Sequence, residues 1–132
     1  MSYNIKNLTI SKLSVIGAGQ IGPDILLHFA KVFAGKNVQL LLVDIAEAAL
    51  QNARKKIEKK INKGLESGAF KREVGELMKG SITYTLNYAD IANSDIVLEA
   101  ATESEPIKDN IFKQVELLCD EKTVFLSNSS HI

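Results

Sequence analysis

The sequence predicts an α/β fold: a doubly wound parallel sheet in three αβα layers, built as a single domain. Apolar patterning switches along the chain between short strand-like runs and stripes at helical spacing. One strand-like run, VQLLLV at 38–43, is nearly continuous, the pattern of a strand covered on both faces. The resulting order β-α-β-α-β-α-β-α-β is the one a parallel sheet with right-handed helical crossovers requires.

The elements follow in order. Residues 12–16, ending in β-branched Val15 and Ile16 before Gly17, read as the first strand. Residues 20–33 set Ile21, Ile25, Leu26, Phe29, Ala30 and Phe33 at helical spacing. Gly35, Lys36 and Asn37 supply the glycine and cation expected at a helix end. The second strand, 38–43, stops at Asp44. Residues 46–65 carry Leu50, Ala53, Ile57, Ile61 and Leu65 in one stripe, and Ser67-Gly68 breaks it before a short helix at 71–78. ITYT at 82–85 is the third strand, 88–92 a short helix, and 95–98 the fourth strand. Residues 106–118 form a helix with Ile107, Ile111, Phe112, Val115 and Leu118 in its stripe, and 123–126 is the fifth strand. No internal repeat or low-complexity segment occurs, and 54–63 is the one charge-rich stretch.

Composition narrows the function classes. A chain of 132 residues has room for one ordinary domain. A hydrophobic content of 45% excludes disorder as the dominant state. Sixteen Lys+Arg against 16 Asp+Glu leave no basic surplus, which argues against a general nucleic-acid binder. No apolar run reaches the roughly 18 residues of a membrane span, and 1–12 lacks the pattern of a signal peptide. Cys119 stands alone, so a reducing, cytoplasmic setting is expected. The chain stops a few residues after an apolar strand, with no covering helix, so a fragment of a longer polypeptide is expected.

Gly17-Ala18-Gly19-Gln20-Ile21-Gly22 matches G-x-G-x-x-G between a predicted strand and a predicted helix. That context makes it a Rossmann-type dinucleotide loop. Gly17 permits the tight turn, Gly19 lets the backbone approach a pyrophosphate, and Gly22 allows helix to pack on strand. Uncommitted N–H groups at the helix start then attract the anion. Pro23 falls in the first turn, where its missing N–H costs little. Asp44 lies about 20 residues beyond Gly22, where an acidic residue accepts hydrogen bonds from the adenosine ribose. Its charge repels a 2′-phosphate, and no Arg or Lys lies between Asp44 and Gln51. The expected cofactor is therefore NAD rather than NADP. Capping of the following helix is a second reading of Asp44, and the two are compatible.

Other candidates carry less. Cys119 ends an apolar stripe and reads as an inert thiol. His28, between Leu27 and Phe29, reads as a surface or packing histidine. Glu99 and Glu103 flank a strand end and could pair for acid–base work, but cofactor contact suits Glu103 better. No metal-ligand spacing and no G-x-S-x-G motif occur.

The segments VIGAGQIG, LLLVDI, LQNARKKIEKKINKGLESGAF, DIVLEAATESEPIKDNIFKQVE and FLSNSS together resemble the N-terminal NAD-binding domain of 3-hydroxyacyl-CoA dehydrogenase over residues 12–132. The resemblance implies a pyrophosphate held by Gly17, Gly19 and Gly22, with Ala18, Gln20 and Ile21 lining the loop and Asp44 on the ribose. It implies cofactor contact by Ala101, Thr102, Glu103 and Lys108, with Glu103 near the nicotinamide-side ribose. Asn128 and Ser130 match the family's S-N-T-S turn, and Ser130 would hydrogen-bond the reacting oxygen of the substrate. Ser129 replaces the usual Thr, and His131 stands where a small polar residue is usual.

The family's general base, a histidine oriented by a glutamate, follows the next strand, beyond Ile132. The implied enzyme oxidises (S)-3-hydroxyacyl-CoA to 3-oxoacyl-CoA with hydride transfer to NAD, in fatty-acid β-oxidation or butanoate metabolism. This chain by itself is expected to be inactive. A helical C-terminal domain would complete the substrate site and form a homodimer. The cationic helix, Arg54 to Lys63, reads as a solvated face; in the family it also touches acyl-CoA, implying contact by a residue such as Lys60 or Lys63. A free-standing, non-catalytic NAD(H)-binding module is the alternative from another class. A dehydrogenase of hydroxy or sugar acids is a third, against which EAATE and SNSS count.

Overall fold

The computed structural model describes residues 3–5, 8–19, 21–100 and 105–127. The chain opens with a two-stranded antiparallel hairpin, β1 (Tyr3–Ile5) and β2 (Leu8–Ile10). Then follow β3 (Lys12–Ile16), α1 (Gly22–Val32), β4 (Gln39–Val43), α2 (Glu47–Ser67), α3 (Arg72–Ser81) and β5 (Ile82–Thr85). A 3-10 turn (Tyr88–Ile91), β6 (Ile96–Glu99), α4 (Glu105–Leu118) and β7 (Val124–Ser127) complete the order. The five strands from β3 onward form one parallel sheet in the order β5-β4-β3-β6-β7.

All five predicted strands are present, and the opening hairpin is an addition that the sequence reading did not contain. Two three-residue strands are too short to show a period. The short helix read at 88–92 is a 3-10 turn. Asn87 starts it by accepting the Ala89 N–H at 3.0 Å, a bond that competes with regular helix.

The continuous apolar run of β4 is explained by what its side chains meet. Leu40 and Leu42 enter a core beneath α1, α2 and α3, with Leu13, Leu26, Ile57 and Ile61. Leu41 and Val43 enter a second core on the opposite face, with Ile16, Val97, Ile111 and Val115. Each fully buried aliphatic side chain contributes roughly 1.5–3 kcal/mol relative to exposure. Polar bonds tie the N-terminal ends of the strands. Asp95 accepts the Ser11 and Lys12 N–H groups at 2.6 and 3.0 Å, and Ser14 meets Ser94 at 2.7 Å. The C-terminal ends are left to form a crevice.

The second face is the thinner one. There α4 and the 3-10 turn are the covering layer, and Ile107, Phe112 and Leu117 of α4 are exposed, Leu117 at 80%. Phe112 meets Phe125 edge-on at 5.4 Å.

Tyr84 on β5 lies under the Arg54 guanidinium, 5.7 Å from its ring centroid. Burial, reinforced by Glu58 and opposed by Arg54, pushes its hydroxyl from 10.0 up to about 12. A raised pKa means the fold favours the neutral phenol. That contribution is complete below pH 10 and is lost as pH rises toward 12. Tyr84→Phe is expected to flatten the loss of stability across that window, by about 1–2 kcal/mol after solvent screening, with little change at pH 7. Thermal melts at pH 7, 10 and 12 check this; identical alkaline slopes in both proteins would contradict it.

Candidate dinucleotide site

β3 carries the chain to Gly17 in the middle of the sheet, where neighbouring strands lie to either side and the order reverses. In open α/β sheets that switch point is where ligands bind. Gly17 has φ +104°, a left-handed conformation that side chains rarely adopt. Its N–H donates to the Val43 carbonyl at 2.8 Å, fastening the turn to β4. A Cβ on Gly22 would stand 2.0 Å from the Gly17 carbonyl oxygen, so only glycine lets α1 begin this close to the turn. A Cβ on Gly19 would meet nothing within 4 Å, so the loop is open on the side a ligand approaches.

The start of α1 is suited to an anion. Ile21 at the N-cap offers no side-chain acceptor, and Pro23 follows in the first turn. The remaining first-turn N–H groups are thus not capped by a side chain. Asp24 also lies in this turn, but Lys60 and Lys56 of α2 reach it at 2.7 and 3.4 Å. The Lys60 hydrogen bond holds its carboxyl below the usual 3.8, with burial opposing and Lys56 assisting.

Asp44 leaves β4 half-buried, and backbone donors fix its carboxylate. Oδ2 accepts the Ala18 N–H at 2.8 Å and Oδ1 the Ala46 N–H at 2.9 Å. Ala46, not Asp44, is the N-cap residue of α2 and has no side-chain cap, so the capping reading becomes a turn contact two residues on. Each carboxylate oxygen has a second lone pair for a ribose hydroxyl. Beside Asp44 opens a cleft of about 360 Å³ lined by Glu47, Gln51, Arg54, Thr85 and Asn87 among others. Its one cation, Arg54, is engaged by Glu58 at 3.3 Å and by the Tyr84 ring.

Ala18 is buried and Ile21 half-exposed. Lys108 lies in the first turn of α4 and is half-buried. Gln20, Ala101, Thr102, Glu103, Asn128, Ser130 and His131 lie outside the described residues. His28 is exposed and meets Phe29 edge-on at 5.5 Å, the packing role expected of it. Burial pushes the Cys119 thiol up, which suits an inert cysteine. Among the described residues no group of three could hold a metal, and no helix is long and apolar enough to cross a membrane.

The cationic helix is more committed than its sequence implies. Lys56 and Lys60 join α2 to α1 through Asp24, which draws Lys60 into helix–helix pairing. Lys55, Lys59 and Lys63 line an open groove with Glu58, Asn62 and Glu66.

Sequence reasoning missed Tyr88 at this rim, and it read Glu99 as a possible partner of Glu103 without seeing Ser127. Glu99, 3% exposed at the end of β6, accepts a hydrogen bond from Ser127 Oγ at 2.7 Å. Tyr88, half-buried, has its hydroxyl raised first by burial, then by the charges of Asp44 and Glu99.

The loop fits a dinucleotide: a glycine cradle closed to any Cβ at Gly22, open above Gly19, with an oriented carboxylate alongside. The profile of the family described as "3-hydroxyacyl-CoA dehydrogenase, NAD binding domain" matches residues 12–132. A "3-hydroxybutyryl-CoA dehydrogenase" of Mycobacterium tuberculosis (strain CDC 1551 / Oshkosh) is 30% identical over 124 residues, covering 93% of this chain and 42% of the relative. A "probable 3-hydroxybutyryl-CoA dehydrogenase" of Deinococcus radiodurans is 33% identical over 121 residues, covering 92% and 42%. The crystal structure of the (S)-3-hydroxybutyryl-CoA dehydrogenase of Ralstonia eutropha superposes with a TM-score of 0.84 at 28% identity, over 93% of this chain and 42% of that one. The chain thus spans less than half the length of these relatives. It belongs to the family of NAD-binding domains of 3-hydroxyacyl-CoA dehydrogenases, and NAD is its cofactor.

Proposed function

We propose that this chain is the cofactor half of a longer NAD-dependent enzyme that oxidises (S)-3-hydroxyacyl-CoA to 3-oxoacyl-CoA. The observation that carries the proposal is the joined site at the switch point, where Asp44 and the glycine loop are locked together by the Ala18 hydrogen bond. The matched relatives, named as 3-hydroxybutyryl-CoA dehydrogenases, support a short acyl chain. When bound, NAD supplies the hydride acceptor. The protein's own residues bind and orient. The first-turn N–H groups of α1 hold the pyrophosphate, and Asp44 holds the adenosine ribose. The family resemblance assigns further cofactor contact to Ala101, Thr102, Glu103, Lys108 and Asn128. It assigns to Ser130 a hydrogen bond to the reacting oxygen. The proton of the 3-hydroxyl goes to a histidine contributed by chain that follows residue 132. Lys63, rather than Lys60, is the better placed of the two for a CoA phosphate, because Lys60 already pairs with Asp24.

The same proposal places the whole enzyme in the cytoplasm, in β-oxidation or butanoate metabolism, as a homodimer through its C-terminal domain. The experiment compares this chain with the longest native polypeptide that contains it. NADH fluorescence should show binding to both. Absorbance at 340 nm with NAD and (S)-3-hydroxybutyryl-CoA should rise with the longer polypeptide alone. NADH binding without oxidation of any 3-hydroxyacyl-CoA by the longer polypeptide would leave a non-catalytic NAD(H)-binding module.

A further inference from the structure

Glu99 is the one buried charged residue among the described residues, at 3% exposure. It sits at the C-terminal end of β6, the second strand flanking the glycine turn. Its backbone pairs with Ile16 on one side and with Ser127 on the other. Ala100, the next residue, donates its N–H to the Ile16 carbonyl at 2.8 Å. A carboxylate taken out of water is costly unless hydrogen bonds hold it. Here the Ser127 hydroxyl donates to Oε1 at 2.7 Å, along the same cross-strand pair. The placement is poor for stability alone, since an apolar side chain in that row would pack without the desolvation cost. It is well suited to fixing the end of β7, because Ser127 directly precedes Asn128, Ser129 and Ser130.

We propose that Glu99 and Ser127 form a positioning pair that fixes the end of β7, the strand that leads in sequence to Ser130. Glu99 acts as a hydrogen-bond acceptor rather than as an acid or base, and acts on catalysis through Ser127. The inference rests on the proposed dehydrogenase reading and on the place of Ser130 in it.

The test uses the longest native polypeptide and three variants: Glu99→Gln, Glu99→Leu and Ser127→Ala. Glutamine retains an acceptor oxygen for Ser127, so E99Q is expected to keep kcat within about threefold. E99L and S127A each remove one side of the bond, and each is expected to lower kcat about 10- to 100-fold, the cost of a small misplacement of a reacting group. The double variant E99L/S127A should fall no further than the worse single one, because the pair acts as a unit. The Kd for NADH, read by fluorescence, should rise by a smaller factor than kcat falls, since the glycine loop and Asp44 are untouched. Ser127 lies on the exposed side of the bond, so S127A carries the test if E99L fails to melt cooperatively. Unchanged kcat in S127A, or losses that multiply in the double variant, would overturn the pair. Absence of any turnover by the unsubstituted polypeptide would instead remove the dehydrogenase reading itself.

Discussion

Gly22→Ala is expected to abolish NADH binding and to lower stability by about 3 kcal/mol, the upper range for overpacking. The new methyl group would stand 2.0 Å from the carbonyl oxygen of Gly17. Both partners are backbone, so no rotamer change relieves the contact. The turn and α1 must separate, and α1 carries the first-turn N–H groups proposed to hold the anion. Gly19→Ala is the matched control. Its methyl group meets nothing within 4 Å, so the melting temperature should be unchanged. NADH affinity should nevertheless fall at least about tenfold, because the methyl group occupies the side from which the pyrophosphate approaches. Thermal melts with NADH titrations separate the two effects. A G22A protein with the melting point and Kd of the unsubstituted chain would refute the cradle.

Asp44→Ala should raise the Kd for NADH about 10- to 100-fold, the equivalent of about 1.5–3 kcal/mol for hydrogen bonds to a charged group. It should also destabilise the empty protein by about 1–3 kcal/mol, because the Ala18 and Ala46 N–H groups lose their acceptor. The preference for NADH over NADPH should narrow as well. Repulsion of the 2′-phosphate disappears, yet the nearby cation Arg54 remains bound to Glu58 and Tyr84. Glu58→Gln in the D44A background is then expected to improve NADPH affinity further. Parallel titrations with both cofactors decide this, and an unchanged NADH/NADPH ratio in D44A would dismiss Asp44 as the discriminator.

Much of this architecture can be read from residue order alone. The parallel sheet follows from runs such as that of β4, whose residues feed two cores by turns. The site is legible at Gly17, Gly19, Gly22 and Asp44, because a tight backbone approach restricts residue type at fixed spacing. Tyr88, and the pairing of Glu99 with Ser127, escape such reading. Their importance comes from long-range neighbours: Glu99 meets Ser127 across 28 residues, and Tyr88 is brought beside both acids by a turn rather than by a periodic element. The partner of Lys60 is hidden for the same reason. Its sequence neighbours make it one of a solvated cationic row, whereas its partner Asp24 lies 36 residues earlier on another helix. The opening hairpin is too short for pattern to reveal it.

The uncovered side of α4 and β7 has a consequence for handling the isolated chain. Ile107, Phe112 and Leu117 of α4 and Leu126 of β7 leave apolar side chains in solvent. The chain has a formal net charge of zero and an isoelectric point near 6.7. At neutral pH no long-range repulsion keeps two copies with such exposed side chains apart, so the domain on its own will be a poor colloid. Shifting the buffer well to either side of neutrality restores a repulsive charge, and a high-salt buffer screens that charge and makes precipitation easier.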